Sequence, residues 1–178
     1  MGILSIPNSL SFSRIFILVP FVYAILNQYM VLASVLLLVS YSTDAADGIL
    51  ARRMNQASEF GAILDVSVDK ITLVVVMVGL SAMNLLPAWA TILIVSREVV
   101  VVGTGLDLIR RGQKILPPTF GGRFVGLIFL VMEIFYLIDF TPYNVLVLFV
   151  ALAAMSISFA NYLRLYTKAI EGGEVHWH

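Results

Sequence analysis

Six apolar stretches, each roughly 20 residues long, divide the chain: Leu10 to Leu26, Met30 to Leu50, Phe60 to Met83, Leu86 to Ile109, Phe120 to Ile138 and Tyr143 to Leu165. That length lets a helix cross the hydrocarbon of a bilayer, and lipid admits only segments that satisfy their own backbone hydrogen bonds. The pattern therefore predicts an all-α membrane protein of six transmembrane helices. Composition agrees: 60% of the 178 residues are hydrophobic, 12% are charged, and the mean hydropathy is +0.98, far too apolar for a soluble domain. The joints are polar or helix-breaking, at Asn27-Gln28, Arg52 to Ser58, Asn84 to Pro87, Arg110 to Pro118 and Asp139 to Pro142. Basic residues gather on alternate joints, at Arg52, Arg53, Arg110, Arg111 and Lys114, and again at Lys168, so the positive-inside rule predicts that both termini are cytoplasmic. One membrane domain, residues 1–170, and a polar tail, 171–178, are expected. The first segment, MGILSIPNSLSFSR, lacks a basic leader and a small-residue cleavage site, so it is read as staying in the protein. With no transit-type segment, a prokaryotic plasma membrane is expected.

With 11 basic and 11 acidic side chains there is no global field for nucleic acid, and the absence of cysteine excludes disulfides and thiolate metal sites. Charge matters locally. Asp44, Asp47, Asp65 and Asp69 fall at the end of the second stretch and the start of the third. On helices, residues three or four apart share a face, so each pair projects together and the two faces can meet in a four-carboxylate pocket near the cytoplasmic surface. Each aspartate deep in a membrane helix costs roughly 2.5–3.5 kcal/mol, so four together cost on the order of 10 kcal/mol unless something offsets them. Two divalent cations would cancel the four negative charges. Hard ions such as Mg²⁺ and Mn²⁺ favour carboxylate oxygens and leave positions open for phosphate oxygens, so a donor set of aspartates without His or Cys suits a pyrophosphate substrate. Such ions clamp attacking and leaving oxygens, while a carboxylate can take the proton of an attacking hydroxyl.

Spelled out, D-x2-D-G-x2-A-R-x8-G-x3-D-x3-D, with Gly48, Ala51, Arg52 and Gly61 between the aspartates, this segment resembles the signature of the CDP-alcohol phosphotransferases, membrane enzymes with a CDP-linked donor. The resemblance implies two Mg²⁺ or Mn²⁺ ions held by Asp44, Asp47 and Asp65, with Asp69 as general base and as a further ligand. Gly48, Ala51 and Gly61 lack bulk, so a nucleotide can lie close to the backbone. The resemblance makes that nucleotide the cytidine diphosphate of the donor, CDP-diacylglycerol or CDP-archaeol, and places Arg52 on its phosphates. Helix packing by small residues and ordinary topology for a basic helix end are the competing readings of these four positions. A homodimer is also implied.

Asn8, Leu10, Ser11 and Arg14 resemble the N-x-L-T-x-x-R element of the glycerophosphate-transferring branch, with Ser in place of Thr. Asn8 and Arg14 are thereby candidates for phosphate binding; capping by Asn8 or Ser11 and snorkelling by Arg14 are the alternatives. Arg97 and Glu98 lie inside an apolar run, in LIVSREVVVVG. Arg97 either pairs with a carboxylate, Glu98 or one from another helix, or faces the phosphate of an acceptor. The SRE stretch resembles the same branch. Arg123, in LPPTFGGRFVG, stands near where branch members carry a Gly-Lys pair followed by Thr; it keeps the charge, but Gly126 replaces the hydroxyl. Arg164 completes the acceptor candidates. Arg110, Arg111 and Lys114 read as a surface cluster attracted to anionic headgroups, worth about 1 kcal/mol each and not catalytic. His176 and His178, in the polar tail, are set aside as metal ligands.

The expected activity is transfer of a phosphatidyl or archaetidyl group to the hydroxyl of a small polar, phosphorylated alcohol, with release of CMP. Resemblance to phosphatidylglycerophosphate synthases puts glycerol 3-phosphate first among acceptors and the phosphatidylglycerol of a cardiolipin synthase second, followed by inositol phosphate and serine. A divalent-cation carrier is the alternative of another class; it leaves Gly48, Ala51, Arg52 and Gly61 unexplained.

Overall fold

The computed structural model describes the backbone of residues 6–54, 59–112 and 120–171, and side chains over 16–43, 68–112 and 124–171. Six helices, α1 (Ile6–Leu26), α2 (Met30–Met54), α3 (Glu59–Ala82), α4 (Ala88–Arg110), α5 (Phe120–Leu137) and α6 (Tyr143–Ile170), account for most of these residues, and no strand occurs among them. Among the described residues one helix, α6, is long and apolar enough by itself to cross a membrane; Phe16–Leu26, Met30–Thr43 and Phe124–Leu137 are shorter apolar helical stretches.

Helix ends depart from the apolar boundaries in a consistent direction. α2 runs on through Arg52 to Met54 and α6 through Lys168 to Ile170. Hydropathy marks where apolar surface stops, whereas Ala, Arg, Met, Leu and Lys keep a helix going in water. α1 already includes Ile6, which puts Asn8 and Ser11 inside the helix and removes the capping reading for both. The reversals after α1, α3 and α5 share one device. Gln28, Asn84 and Asp139 take left-handed backbone, φ 60°, 56° and 49°. The next N–H then bonds back five residues, Tyr29 to the Ala24 carbonyl at 2.8 Å, Leu85 to Leu80 and Phe140 to Phe135 both at 3.0 Å, which closes the orphaned carbonyls of each helix end.

The chain forms two compact units. One comprises residues up to Thr91 together with Tyr136–Asp139. In it α1 packs on both α2 and α3. Phe21, Ala24 and Ile25 of α1, Leu37 of α2 and Met77 and Leu80 of α3 are almost wholly buried. A methyl group placed on Gly79 would touch the Ile25 side chain at 3.4 Å, so α3 approaches α1 closely there. The other unit holds Ile92–Phe135 and Phe140–His178, with Ile94, Leu108, Met132, Leu148 and Ala151 at its core. Outside these cores the surface stays apolar: Phe16, Val31 and Ile157 are each at least 67% exposed. Helices apolar on their outer faces as well as their inner ones are built for lipid.

Candidate active site

On α2 the buried positions Ala33, Leu37 and Ser40 follow one another by four and three residues. Continued at the same spacing, that row reaches Asp44, Asp47 and Ala51. On α3 the buried row Leu80, Val76, Thr72 and Val68 continues in the other direction to Asp65 and Gly61. Both rows reach one small void, lined by Leu37 and Ser40 of α2, Thr72 and Val76 of α3 and Phe21 of α1.

Ser40 and Thr72 lie at matching distances from the α2–α3 connection, each roughly 20 Å along its helix. Counting from them toward the connection places every aspartate along its own helix. Asp44 stands four residues on from Ser40 and Asp69 three from Thr72; Asp47 and Asp65 each stand seven away. By helical rise, Asp44 and Asp69 each stand about one turn from the Ser40 and Thr72 positions, and Asp47 and Asp65 each about two turns. Asp69 is solvent-exposed while its neighbour Val68 is buried. Hydroxyls near this level bond within their own helices: Thr72 donates to the Val68 carbonyl at 2.9 Å, Ser42 to Leu38 at 2.7 Å and Thr43 to Ser40 at 2.8 Å. The side chains of Asp44, Asp47, Arg52 and Asp65, and the surroundings of Gly48, Ala51 and Gly61, lie outside the described residues, as do the side chains of Asn8, Arg14 and Arg123.

In the other unit, Arg97 has its pairing partner. It binds Glu98, and its guanidinium lies over the Phe159 ring, 5.8 Å from the centroid. Sequential residues diverge by about 100° on a helix, so both long side chains bend around α4 to meet. Both are largely buried, and the Arg97 Nε has no hydrogen-bond partner among the described residues. Arg164 is exposed, and by helical register it faces away from Phe159, Tyr162 and Tyr166, so the described residues do not bring the two arginines together.

A second set of polar contacts joins α4 to α6. Tyr162 meets Thr104 with their hydroxyls 2.9 Å apart, and the Tyr166 hydroxyl donates to Asp107 at 2.8 Å. Arg111 donates to the same Asp107 oxygen at 2.7 Å. Sequence reasoning passed over this seam. Its trace is there in retrospect: tyrosines four apart on α6 opposite a Thr and an Asp three apart on α4, with an Arg one turn on.

Comparison with known proteins bears on the same segments. A family model described as CDP-alcohol phosphatidyltransferase matches residues 4–160. A candidate cardiolipin synthase of Mycobacterium tuberculosis is 35% identical over 122 residues, which cover 68% of this chain and 58% of the relative. A cardiolipin synthase (CMP-forming) of Streptomyces coelicolor is 35% identical over 106 residues, 56% of this chain and 49% of the relative. A CDP-diacylglycerol–glycerol-3-phosphate 3-phosphatidyltransferase of Bacillus subtilis is 35% identical over 82 residues, 46% of this chain and 42% of the relative. In each case the match spans less than two thirds of the relative's length.

Proposed function

The chain belongs to the CDP-alcohol phosphatidyltransferase family, and from that premise we propose that it transfers a phosphatidyl or archaetidyl group from a CDP-linked lipid to glycerol 3-phosphate, releasing CMP. What supports this reading is the spacing of the aspartates along α2 and α3: Asp44 and Asp47 continue the buried row of Ser40, and Asp65 continues that of Thr72, with Asp69 one turn from Thr72. Four aspartates at this spacing would offer a donor set of hard oxygens, which fits two Mg²⁺ or Mn²⁺ ions. When bound, those ions neutralise charge on the pyrophosphate.

The chain's own groups do the rest. The acceptor's hydroxyl oxygen forms a bond to the lipid-side phosphorus, the bond from that phosphorus to the CMP oxygen breaks, and Asp69 takes the hydroxyl proton. An exposed carboxylate suits that role, because a polar acceptor can reach it. Gly48, Ala51 and Gly61 leave room for the cytidine, and Arg52 contacts the diphosphate. Arg97, Asn8, Arg14, Arg123 and Arg164 are candidates for the acceptor phosphate. The same reading gives six membrane-spanning helices, cytoplasmic termini, a site open to the cytoplasm of a prokaryotic cell, and a homodimer.

A second acceptor has its own support. The Streptomyces coelicolor relative is named a CMP-forming cardiolipin synthase, so phosphatidylglycerol is the alternative acceptor for the same chemistry. The test is purified protein with CDP-diacylglycerol, Mg²⁺ or Mn²⁺, and glycerol 3-phosphate, phosphatidylglycerol, inositol phosphate or serine in turn. CMP release with glycerol 3-phosphate is expected. CMP release with phosphatidylglycerol alone would transfer the assignment to cardiolipin synthesis, and no CMP with any acceptor would reject the enzyme and leave cation transport.

A further inference from the structure

We propose that Arg111, with Asp107 and Tyr166 behind it, is a binding site for the phosphodiester of an anionic membrane lipid. This rests on the helices crossing a membrane and is independent of the transferase reading. At the end of α4 the Arg111 Nε and the Tyr166 hydroxyl converge on one Asp107 oxygen, at 2.7 and 2.8 Å. One turn earlier the Tyr162 hydroxyl, 2.9 Å from the Thr104 hydroxyl, also reaches the Val101 carbonyl at 3.3 Å, so two rungs hold α4 against α6. An arginine at an exposed helix end ordinarily swings freely. This one is held at Nε, which leaves its two terminal nitrogens as a fork directed away from Asp107, the arrangement that meets two phosphate oxygens at once.

Charge and height both select the ligand. Asp107 cancels one positive charge and the adjacent Arg110 restores it, which suits a group with a single negative charge, such as a phosphodiester. The carbonyl end of α4 repels anions, so the arginines must supply the attraction. The Arg111 side chain is 51% exposed, open to a ligand from outside. It stands just beyond the end of α4 at Arg110, where the left-handed Gly112 at φ 69° follows, beside two tyrosines of the kind found where hydrocarbon gives way to headgroups. A lipid phosphate is carried to that height by its own chains.

Diffuse attraction and a built site predict opposite signs for one substitution. Asp107→Asn makes the region more positive, so attraction alone strengthens lipid binding, whereas a site that needs its brace loses affinity. The measurement is native mass spectrometry of the protein in neutral detergent, titrated with phosphatidylethanol, which carries the phosphodiester without a hydroxyl nucleophile, against phosphatidylcholine. Arg111→Ala and Arg111→Lys should weaken phosphatidylethanol binding about tenfold. Asp107→Asn and Tyr166→Phe should weaken it several-fold, and Arg110→Ala by less than Arg111→Ala although it removes the same charge. Thermal unfolding in phosphatidylcholine identifies any variant that has lost its fold, and Arg111→Lys then carries the test. Asp107→Asn binding as well as or better than the parent, or equal effects of Arg110→Ala and Arg111→Ala, overturns the site. Competition by millimolar inorganic phosphate as strong as by the lipid would assign it to a soluble phosphate and overturn the lipid. CMP release is read in parallel and should not change with Arg111→Ala, so failure here leaves the transferase reading standing.

Discussion

The two compact units handle charge in opposite ways. Along α4 two charge pairs are held by the chain itself and braced from α6: Arg97 has Glu98 and the face of Phe159, and Asp107 has Arg111 and Tyr166. On α2 and α3 four aspartates fall within one stretch of 26 residues, while the described hydroxyls nearby donate to carbonyls of their own helices. Opposite signs held in place stiffen a structure, and several carboxylates in one short stretch suit a bound cation. A membrane magnifies the contrast, because each aspartate there is costly.

The largest expected effect separates roles within the like-charged group. Asp69→Asn should lower CMP release by about 10²–10⁴-fold, the usual contribution of a positioned proton acceptor, with Mn²⁺ binding partly kept. Asp47→Asn and Asp65→Asn should lose both. Equal Mn²⁺ affinity in all three, measured by calorimetry, would erase the division between base and ligands.

How much of this could be read from the sequence differs by unit for a physical reason. Hydropathy placed six helices to within a few residues, because apolar length is a property of the chain alone. It erred where helices continue past the apolar surface, at Arg52, Lys168 and Asn8, because helix propensity does not stop at the edge of the lipid. The aspartates stood out through spacing and sign. The void shared by Ser40 and Thr72 did not, since it is a tertiary fact. The α4–α6 seam went unseen because Thr104, Tyr162 and Tyr166 are common residues that gain meaning only once opposed. Arg97 left two readings open; the fold supplied Glu98 as partner without engaging its Nε.

Next in size is a test of the opposed-sign side. Glu98→Gln leaves Arg97 largely buried without its counter-charge, and breaking such a pair from one side costs about 3–5 kcal/mol. Thermal unfolding in detergent should show that loss equally with and without Mn²⁺. The like-signed side should depend on the metal: without divalent ions Asp47→Asn should raise the unfolding midpoint, as one of four repelling charges is gone, and with saturating Mn²⁺ it should lower it, as ligand-linked stability is lost. A shift of the same sign under both conditions would mean that the two units do not differ as argued.

The smallest effect concerns how each unit turns its chain. The reversal after α1 puts Gln28 at φ 60°, whereas α4 is followed by Gly112 at φ 69°. A residue with a Cβ loses roughly 1 kcal/mol in that conformation, and asparagine loses less because its short side chain tolerates it. Gln28→Gly should therefore stabilise, by at most about 1 kcal/mol, since glycine's freer unfolded chain takes back part of the gain. Asn84→Gly, at φ 56°, should gain less. Gly112→Ala is the converse: a Cβ there would meet nothing within 4 Å among the described residues, so its cost is set by backbone strain and should come to about 1 kcal/mol. Read by chemical unfolding of the protein in detergent, a gain at 28 with a loss at 112 ties both turns to φ. A loss at 28 would mean that the Gln28 side chain holds the turn by contacts that outweigh the backbone.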